Sequence, residues 1–415
     1  MDILRAGDEI VCVVARLTPD QVKSWKTDIV EEIDPDERSK KVVHFDDFDD
    51  YDFLREDIPE FHYESDLYKR NPSEYEPANG KVIKDDDAVL EMKFISQPQT
   101  TQIEDLATFE FKDYAGSGIT VYVHDTGINL QHPEFTTPVP WVTRGTHEWL
   151  YPKGSEITGL FGKVIPHPTE DEPSGHGTCV ADKVVGTHFG VAKGASLKVV
   201  PFIEEVINFS YLLAGLQAIV DDMKRQRKTD REKGYFPVVN LSYRLNELSD
   251  RDIEKYRKFL KVMVAFDAVI VGAAGNRRLQ GVEGVEQYPA KFVEEYAFKE
   301  NMIITGAVDM LGHQAIFSQG GPLVEIWAPG TRDSTNGLEC AGATGEGTVL
   351  KKGTSYAAPQ VSGLVAYLYS LYPGLRTPGS AAPKVLAKLK QLAYPRFGGG
   401  PKSVWNGAYG QVYCT

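Results

Sequence analysis

Gly353-Thr354-Ser355-Tyr356-Ala357-Ala358-Pro359 runs directly into a long apolar stretch, residues 361–371, so the segment reads as a buried helix with a serine at its start. A hydroxyl there faces the unpaired backbone N–H groups and the positive end of the helix dipole, which favour negative charge. That suits an attacking alkoxide and the oxyanion it creates. Alone, the segment reads equally well as a cap, because Ser and Thr are ordinary N-cap residues. Its company decides otherwise. Asp125-Thr126-Gly127 and Gly175-His176-Gly177-Thr178 lie upstream, in the order Asp, His, Ser. That is one of the chain orders in which a nucleophile, a base and an orienting carboxylate occur.

Around these motifs, strands alternate with helices. Residues 119–123 form an apolar strand ending at His124-Asp125, 197–202 form another, and a helix is predicted over 210–227. Residues 238–242 follow as a strand, 250–267 as a charged amphipathic helix, and 269–273 and 303–307 as further apolar strands. The class is α/β, with a mostly parallel sheet covered on both faces. Functional residues then belong at the carboxyl ends of the strands, where Asp125 and Asn276 fall.

Each candidate has a plainer reading. A serine needs a neighbouring base to become a nucleophile; His176 is that base, although a lone histidine is more often a packed core residue. Asp125, directly after an apolar strand, is a nearly buried carboxylate that an imidazole partner would stabilise, or else a turn residue. Asn276, in Gly272-Ala273-Ala274-Gly275-Asn276, either closes a turn or offers an amide N–H to an oxyanion. Four such residues together make coincidence the weaker account.

With these residues in place, the chain resembles the subtilisin-like serine proteases of the subtilase family (peptidase family S8), in a form similar to fungal members. The resemblance runs from about residue 93 to 373 and includes 118–127, 175–181, Phe189-Gly190-Val191-Ala192, 271–276, Tyr288-Pro289-Ala290, Trp327-Ala328-Pro329-Gly330 and 353–363. It implies a subtilisin-like three-layer fold and a triad of Asp125, His176 and Ser355. Asn276 and the Ser355 N–H would form the oxyanion hole. Ser242, Tyr243, Arg244, Gly272, Ala273, Ala274 and Gly275 would border the bound peptide. It also implies a serine endopeptidase acting on peptide or protein substrates. Calcium supports this fold in related enzymes, but no clean oxygen-ligand spacing stands out and the chemistry requires no metal or cofactor.

Val13 to Val22 resembles the later half of the family's inhibitor-like propeptide, whose usual first strand is missing. This implies a self-processing zymogen whose own propeptide is an intramolecular inhibitor. The expected division is a small α+β propeptide remnant over 1–36, an acidic linker over 37–90 and a catalytic domain over 91–415. In the remnant, a strand over 9–17, a helix opened by Thr18-Pro19 and a short strand over 29–33 are expected. The linker rests on the carboxylates crowded between residues 44 and 66.

Net charge is −14, and without a Lys/Arg-rich run nucleic acid is an unsuitable partner. No apolar stretch approaches the roughly 18 residues that span a bilayer. The expected state is a monomer. The resemblance implies secretion, yet residues 1–20 do not read as a signal peptide, so an intracellular location stays open. Four cysteines at 12, 179, 340 and 414 show no metal spacing. A Cys340–Cys414 disulfide is open to an oxidising compartment, and Cys179 reads as a small buried hydrophobe. Of the two N-x-S sites, Asn240 falls in a core strand and should carry no glycan, whereas Asn208 depends on secretion.

The chain departs from the family pattern in four places. Tyr356 stands for the usual Met and Gln360 for the usual His, both as packing variants. An insertion at about 138–173 adds a loop near the rim. Arg244-Leu245 replaces a Gly-Gly, narrowing or charging the cleft and favouring acidic side chains upstream of the cleaved bond. Two other readings remain beside the endopeptidase: a non-catalytic homologue with a binding or regulatory role, and a narrow protease for one precursor.

Overall fold

A computed structural model describes residues 80–151, 175–202, 209–229, 234–245 and 248–408, together with the backbone of 2–6, 9–15, 30–36 and 40–45. The N-terminal strands β1 (Asp2–Ala6), β2 (Glu9–Ala15), β3 (Val30–Asp36) and β4 (Lys40–Phe45) pair antiparallel in the order β1-β2-β4-β3. Two expectations change here. A strand does precede β2, because residues 2–6 can complete its edge. The sheet also extends past residue 36 into the piece read as linker, where Lys40–Phe45 carries an apolar centre, Val42-Val43, that suits a strand. The helix expected at Thr18-Pro19 and most of the acidic run lie outside the described residues.

From residue 80 the chain builds one large unit. β5 (Val82–Asp85) pairs with β6 (Phe109–Lys112), and between them lies helix α1 (Leu90–Ser96) with Met92, Phe94 and Ile95 fully buried. The packing described from residue 80 thus takes in β5 and the start of α1, ahead of residue 91. There follow β7 (Thr120–Asp125), α2 (Pro133–Thr136), β8 (His147–Trp149), α3 (His176–Val185), β9 (Ser196–Pro201), α4 (Phe209–Thr229), β10 (Val238–Leu241) and α5 (Asp250–Ala265). β11 (Val269–Ala273), β12 (Met302–Val308), β13 (Ile326–Pro329), the β14–β15 hairpin (Leu338–Ala341, Thr348–Lys351), α6 (Thr354–Leu371), α7 (Ala381–Leu392), β16 (Tyr394–Pro395) and β17 (Lys402–Ser403) complete it. Among the described residues, no helix is long and apolar enough to cross a membrane.

The main sheet has the order β16-β17-β13-β12-β11-β10-β7-β9-β8, parallel except for the β16–β17 pair. Alternation along each strand feeds two cores. Val121 and Val123, Val269 and Val271 point to the side of α3, α6 and α7, while Tyr122, Val239, Ile270 and Ile304 point to α4 and α5. This three-layer arrangement is the α/β class that the sequence pattern implied, in the form expected from the subtilisin-like resemblance. β7 lies between β9 and β10, where the chain changes its direction of travel across the sheet, and such switch points form crevices at the strands' carboxyl ends. Asp125, Ser242 and the loop after Ala273 meet there because β7, β10 and β11 are neighbours.

The cysteine pairing left open by the sequence differs from the Cys340–Cys414 bond considered there. Cys340 is bonded to Cys179, and both are fully buried; Cys414 lies outside the described residues. Cys179 is therefore a cross-link between α3 and β14. Asn240 is fully buried in β10, its Nδ2 donating to Ser242 Oγ and its Oδ1 accepting from Ser362 Oγ, which leaves no room for a glycan; Asn208 is outside the described residues. Of the insertion, β8 forms the sheet edge, and residues 152–174 are likewise outside. Removing the cross-link with Cys179→Ala and Cys340→Ala together should cost about 2–4 kcal/mol of stability. Urea unfolding at neutral pH checks this, and an unchanged midpoint would rule it out.

Candidate active site

Asp125 ends β7 with its side chain fully buried. Oδ1 accepts from His176 Nδ1 at 2.6 Å and from the Thr126 N–H at 2.8 Å; among the described residues Oδ2 has no partner. A carboxylate so placed is costly unless paired, and the imidazole supplies the pairing. Donation from Nδ1 leaves Nε2 as the basic nitrogen, on a ring that is 23% exposed.

The glycines around His176 are dictated by space. Gly175 caps α3 at φ 62°, a left-handed conformation that favours glycine. A Cβ on Gly177 would lie 2.2 Å from the Gly127 carbonyl oxygen. The Gly177 N–H donates to Thr126 Oγ1, and the Asn129 N–H to Thr178 Oγ1, so the two motifs are stitched together.

Ser355 is the second residue of α6, where its N–H has no acceptor within the helix. Pro359 cannot donate to the Ser355 carbonyl four residues back. Tyr356, the next residue, packs its ring against the His176 imidazole, with centroids 5.4 Å apart. Tyr356 thus walls the base on the side of the serine. Gln360, fully buried, donates its amide to the carbonyls of Pro329 and Tyr356 and ties down the first turns of α6.

Asn276 is exposed, and its orientation is fixed from behind. Its Oδ1 accepts from both the Thr354 N–H and the Thr354 hydroxyl at 2.9 Å, while Thr354 Oγ1 accepts from the Gly275 N–H at 3.1 Å. Nδ2 therefore turns towards the serine segment, 3.2 Å from where a Cβ of Gly353 would stand. Thr354 is fully buried and was missed as a functional residue by sequence reasoning, because T before S reads as a cap.

The expected peptide-binding residues divide. Arg244 is exposed at the edge after β10, and Ser242 is buried below it. Leu245 donates its N–H to the Tyr288 carbonyl at 2.8 Å, closing one wall of a cavity of about 630 Å³ lined by Arg244, Leu245, Arg277, Gln287 and Tyr288 among others. Gly272, Ala273 and Ala274 carry the end of β11, but the Ala274 N–H is spent on Thr305 and the Gly275 N–H on Thr354. Tyr243 is half-buried, and its hydroxyl bonds Tyr256, and His124 Nδ1 at 2.9 Å. For the calcium raised by the resemblance, no group of three or more His, Cys, Asp or Glu side chains among the described residues is placed to hold a metal ion.

His124, adjacent to Asp125, is fully buried. Its Nε2 has no described partner, and a Cβ on Gly215 would sit 2.4 Å from that nitrogen, so α4 needs a glycine there. Burial lowers its pKa to about 3, and burial aided by Arg144 lowers that of His147 to about 4. The unfolded chain thus takes up protons below about pH 6.5 that the fold refuses. Stability is full above that pH and falls as pH drops, by roughly 1.4 kcal/mol per unit for each such histidine until its folded pKa is reached. A His124→Gln variant should show a shallower fall between pH 6.5 and 4 in urea titrations. Identical slopes would mean that His124 titrates freely in the fold.

Comparison with known proteins bears on the family and the fold. The sequence model described as the subtilase family matches residues 116–394, more than half of the chain. A curated "Subtilisin-like protease 2" of Trichophyton rubrum is 31% identical over 282 residues, covering 68% of this chain and 56% of the relative. "Subtilisin-like protease 3" of Pseudogymnoascus destructans is 30% identical over 292 residues, covering 69% and 60%. The chain therefore spans little more than half the length of these relatives. Among solved structures, a cold adapted subtilisin-like serine proteinase aligns with TM-score 0.56 at 20% identity, covering 77% of this chain and 98% of that one. The nisin leader peptidase NisP of Lactococcus lactis aligns with TM-score 0.51 at 19% identity, covering 78% and 93%. On the matched segment and the fold together, this chain belongs to the subtilase family of subtilisin-like serine proteases.

Proposed function

We propose that the chain is a serine endopeptidase working through Asp125, His176 and Ser355 and made as a self-processing precursor. The observation that carries this is the buried 2.6 Å Asp125–His176 pair, with the imidazole against Tyr356 and a clamped Asn276 amide beside the same helix start. Ser355 Oγ attacks the peptide carbonyl while His176 Nε2 takes its proton, and Asp125 stabilises the imidazolium. The oxyanion of the tetrahedral intermediate is met by Asn276 Nδ2 and the Ser355 N–H. The imidazolium then protonates the leaving amine, and water hydrolyses the acyl-enzyme by the same route. An extended substrate adds as a strand along the edge at Ser242–Arg244.

The N-terminal sheet supports the precursor reading: the backbone of β1 lies against α4 and α5 of the catalytic unit. The Cys179–Cys340 bond supports maturation in an oxidising compartment, hence secretion. A non-catalytic homologue would keep the fold and the partner surface without turnover, whereas a narrow processing protease would spare casein and cleave one precursor.

A fluorophosphonate should label Ser355 and fail to label Ser355→Ala. A folded but unlabelled wild-type chain would favour the non-catalytic reading. Asn276→Ala should lower kcat by about 10²–10³ with KM little changed. Thr354→Val, which keeps the N–H donor to Asn276 but removes the hydroxyl, should give a smaller fall in the same direction. Equal kcat in all three proteins would exclude Asn276 as an oxyanion donor.

A further inference from the structure

The endopeptidase reading leaves open which side chain the cleft accepts, and the charges around the 630 Å³ cavity bear on that choice. The cavity lies between the Arg244–Leu245 edge and the loop from Arg277 to Tyr288. Arg277 directly follows Asn276, so the cavity opens one residue from the amide that faces the scissile carbonyl. The side chain on the acyl side of that carbonyl is the one within reach. Its floor is apolar, with Leu245, Leu248 and Ile253.

Among the described residues, three charged ones line the cavity. Glu286 is engaged by Arg277, whose Nη1 lies 2.7 Å from its Oε1 and whose Nε donates to Gln280 at 3.0 Å. Arg244 makes no ion pair among the described residues; its one described hydrogen bond runs from Nη1 to the neutral Gln287 Oε1 at 3.2 Å. Two guanidinium groups thus face one carboxylate, and the carboxylate is already taken. A lysine or arginine side chain entering here would meet Arg244, and among the described lining residues no acid is left free to receive it. A large apolar one would suit the floor but cover Arg244 without a partner, at a cost in desolvation. A glutamate would lay its methylenes on the leucines and present two oxygens to a planar fork built for a carboxylate.

We infer that this cleft selects peptides with an acidic side chain, glutamate before aspartate, on the acyl side of the cleaved bond, and that Arg244 is the specificity-determining residue. The inference rests on the serine-endopeptidase reading. The exposure of Arg244 also makes the preference sensitive to salt, because ions screen exposed charges over about 10 Å at 0.1 M.

The test uses the mature enzyme and four fluorogenic peptides differing only at the acyl-side residue: Glu, Gln, Leu and Lys. Glutamate should exceed glutamine in kcat/KM by roughly ten- to a hundredfold at low salt, as expected for hydrogen bonds to a charged group. The ratio should fall with added salt, approach one in Arg244→Gln, and give way to a lysine preference in Arg244→Glu. Equal rates for Glu and Gln peptides, or an Arg244→Gln variant that slows all four by one factor, would overturn the inference while leaving the peptidase reading intact. Fluorophosphonate labelling without cleavage of the glutamate peptide would overturn it too. Neither labelling nor cleavage would fail both readings together.

Discussion

The carboxylate of Asp125 is the constraint on which the rest of the site depends. It is held without solvent at the end of a central strand, and one of its oxygens has no described partner. Such a group is tolerable only because an imidazole and a backbone N–H meet its other oxygen. That requirement places the first turn of α3 against the Thr126-Gly127 turn. It also explains why Gly177 admits no side chain and why Gly175 adopts a left-handed conformation.

Helix α3 is fixed along its length as well as at His176. Cys179 is bonded to Cys340, Asp182 Oδ2 accepts from the Ala341 N–H at 2.7 Å, and Lys183 donates to the Glu339 carbonyl. Lys183 and Glu91, both fully buried, form an ion pair at 3.1 Å that adds α1 to the same junction. These partners all sit on or beside the β14–β15 hairpin, and β15 ends two residues before Gly353. The helix carrying the base and the segment carrying the serine are thus tied to one hairpin rather than joined by free loops. Breaking a buried pair strands its partner's charge, so this junction contributes rigidity more surely than net stability.

The residues on the substrate side follow from how β10 ends. Alternation along an extended segment turns Tyr243 beneath the sheet, where it meets His124 and Tyr256, and leaves Arg244 facing out. The tyrosine ring packs edge-on against Phe202, with centroids 5.1 Å apart, and against His124, which itself fits because Gly215 carries no side chain. The edge is therefore anchored by an aromatic residue on one side while its neighbour remains free to meet a ligand.

Local pattern was enough to read the α/β class, the five central strands of the main sheet and the family. Apolar runs such as 269–273 declare themselves by period and length, and motifs such as G-H-G-T carry their own steric reasons. Four things were decided by tertiary structure, because each depends on residues far apart in the chain. Cys179 and Cys340 are separated by 161 positions, and no spacing rule links them. β1 and β4 were missed because short strands gain their identity from the neighbours they pair with. Thr354 became the clamp on Asn276 only when β11 and α6 were brought together. Tyr243 reads as a substrate contact in sequence; the structure shows it half-buried with its hydroxyl on Tyr256 and His124, partners that no local motif specifies.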